Sequence, residues 1–267
     1  MATAPTTAGK NGARGPKGSP DGPSRPGARN GRFRVPAPRF LLSALGLAAV
    51  AAGLLWALYG SDWFRVERVK TSGARVLTPA EVERAAAVPV GAPLASVDTD
   101  AIEARTRSLL PRIESIEVVR SWPHGIGLEV TERKPVLLIE KGGKFTEVDT
   151  NGVRFATVAT APPGVPLLAL DASSSPSIRR FGADRLLKEA VRVRGELPAE
   201  VARNTRVVRV TSYDSVTLEL TGGRTVLWGS GEHGPVKARV LTALMKAAPK
   251  AGHFDVSAPT APASSGS

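Results

Sequence analysis

An α+β fold hung from a single transmembrane helix is what this sequence predicts, on three observations. Phe40 to Tyr59 (FLLSALGLAAVAAGLLWALY) is an uncharged run of twenty residues. At ~1.5 Å per residue it reaches about 30 Å, the thickness of a hydrocarbon core, so residues 40–60 are expected to cross a membrane once. Residues 1–39 are rich in Gly, Pro, Ala and Arg and nearly lack large apolar groups. Such a segment cannot bury enough surface to offset chain entropy and is expected to be a disordered tail. Beyond the run, apolar patterning alternates between strand and helix periods. It predicts a β-α-α-β-β module over residues 64–136, then a mixed, β-rich domain over 137–256 with a late helix and a terminal strand. A disordered Ala/Pro/Ser tail is expected over 257–267.

Charge gives the tether an orientation. The chain carries +12 overall, and residues 1–39 supply +7 of it, from eight basic side chains against one acid, Asp21. Basic flanks stay cytoplasmic, so the C-terminal part is expected to be exported. The basic tail has one aromatic, Phe33, and no folded reading element, so it reads as a topogenic segment drawn to anionic lipid rather than a nucleic-acid binder. The basic region is too long, and the apolar run too extended, for an ordinary cleaved signal peptide. With no cysteine in 267 residues, disulfides and thiol chemistry are excluded, and the exported part must hold by packing alone.

In the first module, Val66 and Val69 mark a strand that ends at Gly73. Thr78 is expected to cap a helix, with Pro79 in its first turn, Glu81 completing a capping box, and Val82, Ala85 and Ala86 on one face. Asp100 and Glu103 open a second helix, in which Ile102, Thr106, Leu109 and Leu110 share a side. A strand holding Ile116, Val118 and Trp122 turns at Pro123-His124-Gly125. Its partner alternates Ile126, Leu128 and Val130 inward. A three-stranded sheet with two helices on one face buries this pattern.

In the second region, Phe145 to Phe155 reads as a hairpin in which Asn151-Gly152 supplies positive φ angles. Leu167–Leu170 is a short strand. Arg185–Arg194 is a helix with Leu186, Ala190 and Val193 inward. Strands follow at Arg206–Val210, Val216–Leu220 and Thr225–Trp228. A helix from Pro235 then carries a stripe of Val236, Val240, Leu244 and Met245, and the last strand is His253–Val256.

The inventory for catalysis is thin. His124, His233 and His253 lack a second His or a carboxylate at metal-ligand spacing, so no metal or cofactor site is expected. There is no Gly-x-Ser-x-Gly elbow, no Ser-x-x-Lys pair and no Gly-rich loop ending in Lys-Ser/Thr. Asp98 and Asp100 are better explained as helix caps than as a catalytic pair. No catalytic residue and no small-molecule substrate are assigned. What remains is surface for binding, and an extended partner segment can add to an exposed strand edge. The short terminal strand around Phe254 is expected at such an edge. From the residues alone, Phe254 and Val256 equally suit a staple holding the last helix to the sheet.

An ordered set of blocks narrows the reading. Leu77-Thr78-Pro79-Ala80-Glu81-Val82, Gly91-Ala92-Pro93-Leu94, Val118-Val119-Arg120-Ser121-Trp122-Pro123 and Val130-Thr131-Glu132-Arg133-Lys134-Pro135 together resemble a POTRA module. With the basic tail, the single span and the Asp149…Asn151-Gly152-Val153 element, the chain over about residues 32–260 resembles the FtsQ/DivIB family of bacterial cell-division proteins. That resemblance implies a non-enzymatic scaffold of the division machinery. It implies a single-pass protein of the plasma membrane, N-terminus cytoplasmic and C-terminus extracytoplasmic, concentrated at the septum. It implies partners similar to FtsB and FtsL, bound through the C-terminal part of the β domain. On that basis Phe254, Asp255, Val256 and Ser257, with Trp228 nearby, are the expected partner-binding residues. Two competing classes are a POTRA-type transport or secretion accessory and a membrane-tethered cell-wall enzyme. The chain after the module is too short for an outer-membrane barrel, and the enzyme lacks its constellation.

Overall fold

A computed structural model describes residues 38–170 and 182–266. The expected basic tail lies outside the described residues except for its last two positions. Those begin helix α1 (Pro38–Gly60). Phe40–Gly60 is long and apolar enough to cross a membrane, with a mean hydropathy of 2.2. Leu45, Val50, Leu54 and Trp56 are exposed along it. A helix apolar on all sides, and exposed among the described residues, finds its favourable solvent in lipid.

The β-α-α-β-β module follows a 3₁₀ turn at Asp62–Phe64. Its elements are β1 (Arg68–Ser72), α2 (Pro79–Ala86), α3 (Thr99–Leu109), β2 (Ile113–Ser121) and β3 (Gly125–Glu132). The sheet order is β1-β3-β2, with β1 parallel and β2 antiparallel to β3. Inward residues of β2 and β3, Ile116, Val118, Ile126, Leu128 and Val130, meet Val82 and Ala86 of α2 and Ile102 of α3 in one core. The predicted caps form. Glu81 N donates to Thr78 Oγ1 at 3.3 Å and Thr78 N donates to Glu81 Oε2 at 2.8 Å, while Ala101 N donates to Asp98 at 3.0 Å. Gly73 ends β1 at φ +83°, where a Cβ would stand 2.0 Å from the Val130 carbonyl oxygen, so no other residue fits. Two expectations need correction. Leu109 is 60% exposed, because α3 ends there and the chain turns away. Trp122 lies past the end of β2, in the turn, and is half exposed.

The second region builds one mixed sheet of nine strands. In chain order these are β4 (Leu137–Lys141), β5 (Lys144–Val148), β6 (Arg154–Val158), β7 (Leu167–Leu170), β8 (Thr205–Ser212), β9 (Ser215–Leu220), β10 (Thr225–Gly229), β11 (His253–Asp255) and β12 (Ala263–Ser265). Their spatial order is β12-β11-β10-β9-β8-β7-β4-β5-β6. Helices α4 (Ala183–Glu196), α5 (Ala199–Asn204) and α6 (Gly234–Ala247) complete the region. Leu186, Ala190 and Val193 of α4 are buried as their spacing predicts. They join Val208, Val210, Val216, Leu218, Val226 and Trp228 in a second core.

The stripe on α6 sits one residue off its expected place. Val236 is 39% exposed, whereas Lys237 is 1% exposed and Leu241 fully buried, with Val240, Leu244 and Met245 partly covered. Lys237 reaches the Ser230 carbonyl at 2.8 Å. Burial lowers its pKa, while the carboxylates of Glu196, Glu232 and Glu189 pull it back up. The 149–153 connection also differs from a two-residue turn. Gly152 alone takes a positive φ, 78°, and Asp149 organises the loop by accepting from Asn151 N and Val153 N, each at 2.8 Å.

Two ion pairs join the regions. Arg112, beside the start of β2, reaches Glu147 of β5 at 2.6 Å, and Arg133, just past β3, pairs with Asp149. The Glu147 and Asp149 side chains are 4% and 3% exposed. Arg133 also donates to the Pro111 carbonyl at 3.1 Å. The two short motifs Glu132-Arg133-Lys134-Pro135 and Asp149…Asn151-Gly152 thus meet in space.

Candidate partner-docking edge

The C-terminal end of the large sheet gathers every residue expected to bind a partner, but not as expected. β11 is not the outermost strand. It lies between β10, parallel with Val226 opposite Phe254, and β12, antiparallel with Ser264 opposite Phe254. Residues 257–266, expected as part of a tail, instead run to β12 and cover that edge. Phe254 is 2% exposed, and Val256 and Trp228 are completely buried in the second core. Of the two open readings, the staple describes these side chains: they hold sheet to helix and present nothing to a partner. Lysine at position 254 would bury a charge in that core rather than probe a surface.

Asp255 and Ser257 differ. Asp255 Oδ1 accepts from Ser257 N at 2.9 Å and from Ser257 Oγ at 2.7 Å, a closed local turn that leaves Ser257 exposed. This turn lies against Gly229 (φ +78°), where a Cβ would come within 2.9 Å of the Ser257 Cβ. Val256 N donates to the Leu227 carbonyl at 3.0 Å, continuing the ladder past β11. His253 Nδ1 lies 2.5 Å from Thr225 Oγ1, which accounts for that imidazole.

What the edge does offer is backbone. Ala263, Ser264 and Ser265 are all exposed. Their small side chains bury little, so backbone hydrogen bonds hold β12. Gly252 N donates to the Gly266 carbonyl at 3.0 Å. Thr225 N donates to the Gly252 carbonyl at 2.8 Å and Val256 N to the Leu227 carbonyl at 3.0 Å, so by alternation Phe254 turns its own N–H and C=O to β10. Ser265 and Ala263 then face His253 and Asp255 of β11, and the N–H and C=O of Ser264 turn outward. An outer edge of this kind accepts an added strand. Ala-Ser-Ser has neither strand propensity nor alternation, so only its partner strand could have revealed it.

The POTRA-like sheet offers its edges less freely. Val118 N on β2 donates to Glu103 Oε1 at 3.0 Å, so a helix side chain occupies part of that rim. Chemistry needing a metal finds no group of three ligating side chains among the described residues. His124 faces Glu67 at 3.9 Å, and His233 starts α6 with φ 58°.

Comparison with known proteins agrees with this architecture. Residues 64–133 match the model of the FtsQ-type POTRA domain, and residues 137–257 match that of the FtsQ/DivIB cell-division protein C-terminal domain. The chain is 76% identical to the cell division protein FtsQ of Streptomyces venezuelae across the whole of both chains. It is 63% identical to that of Streptomyces coelicolor over 88% of this chain and 91% of the relative. It is 32% identical to that of Mycobacterium tuberculosis over 96% of this chain and 77% of the relative. Two adjacent family matches, and a relative aligned from end to end, place the chain in the FtsQ/DivIB family of bacterial cell-division proteins.

Proposed function

We propose that the protein is a non-enzymatic scaffold of the division machinery. In this reading α1 anchors it in the plasma membrane, the N-terminal tail stays in the cytoplasm and both folded regions work outside. There they gather single-span partners similar to FtsB and FtsL at the septum. Confinement to one membrane layer raises the effective concentration of such partners, so modest contacts suffice. The observation that carries the reading is the free outer rim of β12, a backbone edge built over a buried Phe254-Val256-Trp228 base.

The test separates edge from core. Proline in place of Ser264 removes the outward N–H while leaving the inward-facing groups of Ala263 and Ser265 in place. The Ser264→Pro full chain should lose copurification with an FtsB-like partner and keep its urea midpoint, whereas Ser264→Ala should retain binding. Unchanged copurification of Ser264→Pro would remove β12 as the docking edge. A fluorescent fusion spread evenly around the envelope, rather than gathered at septa, would contradict the scaffold role. Peptidoglycan turnover by the purified protein would contradict its non-enzymatic nature.

A further inference from the structure

We propose that Trp63 and Trp122 form an interfacial anchor that seats the POTRA domain on the lipid surface of the membrane that α1 crosses. This inference rests on the reading of α1 as a span.

The spacer between span and domain is very short. α1 ends at Gly60, and Val66 is already in the first core at 1% exposure. Five residues fully extended cover about 17 Å, and Asp62–Phe64 is wound into a 3₁₀ turn that shortens this. The turn is tied down at both ends. Ser61 Oγ donates to the Ala57 carbonyl at 2.6 Å, and Arg65 donates to the Gly91 carbonyl at 2.8 Å. Val66 N donates to Ala92 O at 2.9 Å, and Gly91 N donates to Val66 O at 2.8 Å. A domain tethered this closely has one corner at the headgroups.

That corner is apolar where a water-facing corner would be polar. Trp63 is 78% exposed, Val90 66% and Trp122 50%. The three come from separate stretches of chain, whose neighbours Gly91 and His124 hydrogen-bond to Val66 and Glu67 just after the span. The Trp122 ring meets Phe64 edge-on with centroids 5.5 Å apart, and Glu67 N donates to the His124 carbonyl at 2.9 Å, binding the β2–β3 turn to the residues after the span. Trp is enriched where an apolar ring body and a polar N–H both find partners, at the boundary of headgroup and acyl chain. Trp56 and Tyr59, exposed near the end of α1, continue the same aromatic band from the span side. The salt-bridged Asp62–Arg65 pair, at 2.6 Å, adds a zwitterionic element suited to headgroups. Lipid is therefore the occupant of this face, and the band fixes the height at which the partner-docking edge is presented.

The test is fluorescence quenching of the full chain in phosphatidylcholine/phosphatidylglycerol vesicles. Subtracting the Trp122→Phe signal from wild type isolates Trp122, and Trp56→Phe isolates Trp56. The proposal expects bromine near the top of the acyl chain to quench Trp122 at least twofold more than bromine at the chain end, with Trp122 shielded from aqueous iodide. Quenched Trp56 beside a Trp122 that iodide reaches freely and bromine does not touch would overturn the anchor while leaving the span intact. Loss of both bromine signals would overturn the span and the anchor with it.

Discussion

Glu132 shows how much of the POTRA domain one side chain organises. Its carboxylate accepts from Arg75 N at 2.9 Å, Leu77 N at 2.9 Å and Val76 N at 3.1 Å, gathering the chain between β1 and α2. Burial pushes its pKa up, but those three donors and the Arg112 charge outweigh burial and hold it below the ordinary glutamate value. A carboxyl whose folded pKa is depressed stabilises the fold above its unfolded pKa, and that contribution is lost as pH falls through the folded pKa. Glu132→Gln should therefore cost about 1–2 kcal/mol at neutral pH, since hydrogen bonds to a charged acceptor weaken. The cost should shrink toward zero in acid, and urea titrations across pH would read it. Arg133 acts differently. Asp149 and Glu147 are almost fully buried, so removing either arginine partner strands a charge. Arg133→Ala should destabilise by about 3–5 kcal/mol, read as a lowered urea midpoint.

Elements whose signals are local were legible in the sequence. Thr78 and Glu81 sit at capping-box spacing, and the box forms. Thr78→Ala should cost about 1 kcal/mol by thermal unfolding. Alternation in Ile126, Leu128 and Val130 marked β3, and the spacing of Leu186, Ala190 and Val193 marked the inner face of α4. Elements that depend on distant neighbours were not legible. Short α5 and short β12 carry too few patterned residues. The burial of Lys237 has no local signal, because only the carboxylates packed around α6 make it tolerable. Phe254 was expected on a free rim because nothing in Ala-Ser-Ser announces a covering strand. Its burial moves the candidate contact from side chains to the backbone of β12.

The whole molecule comprises two folded regions clamped by Arg112–Glu147 and Arg133–Asp149 and preceded by one apolar helix, and a strand edge is their proposed contact. If the clamp makes them a single cooperative unit, then Arg112→Ala and Arg133→Ala together should split the unfolding transition in two, as followed separately by the two cores. Everything about partners depends on which side of the membrane those regions occupy. The chain has no cysteine, so single introduced thiols report topology cleanly. In protoplasts treated with a membrane-impermeant maleimide, Thr221→Cys in the β9–β10 connection should label at once, while Thr6→Cys in the basic tail should label only after lysis. Prompt labelling at position 6 with protection at position 221 would contradict the account at its root.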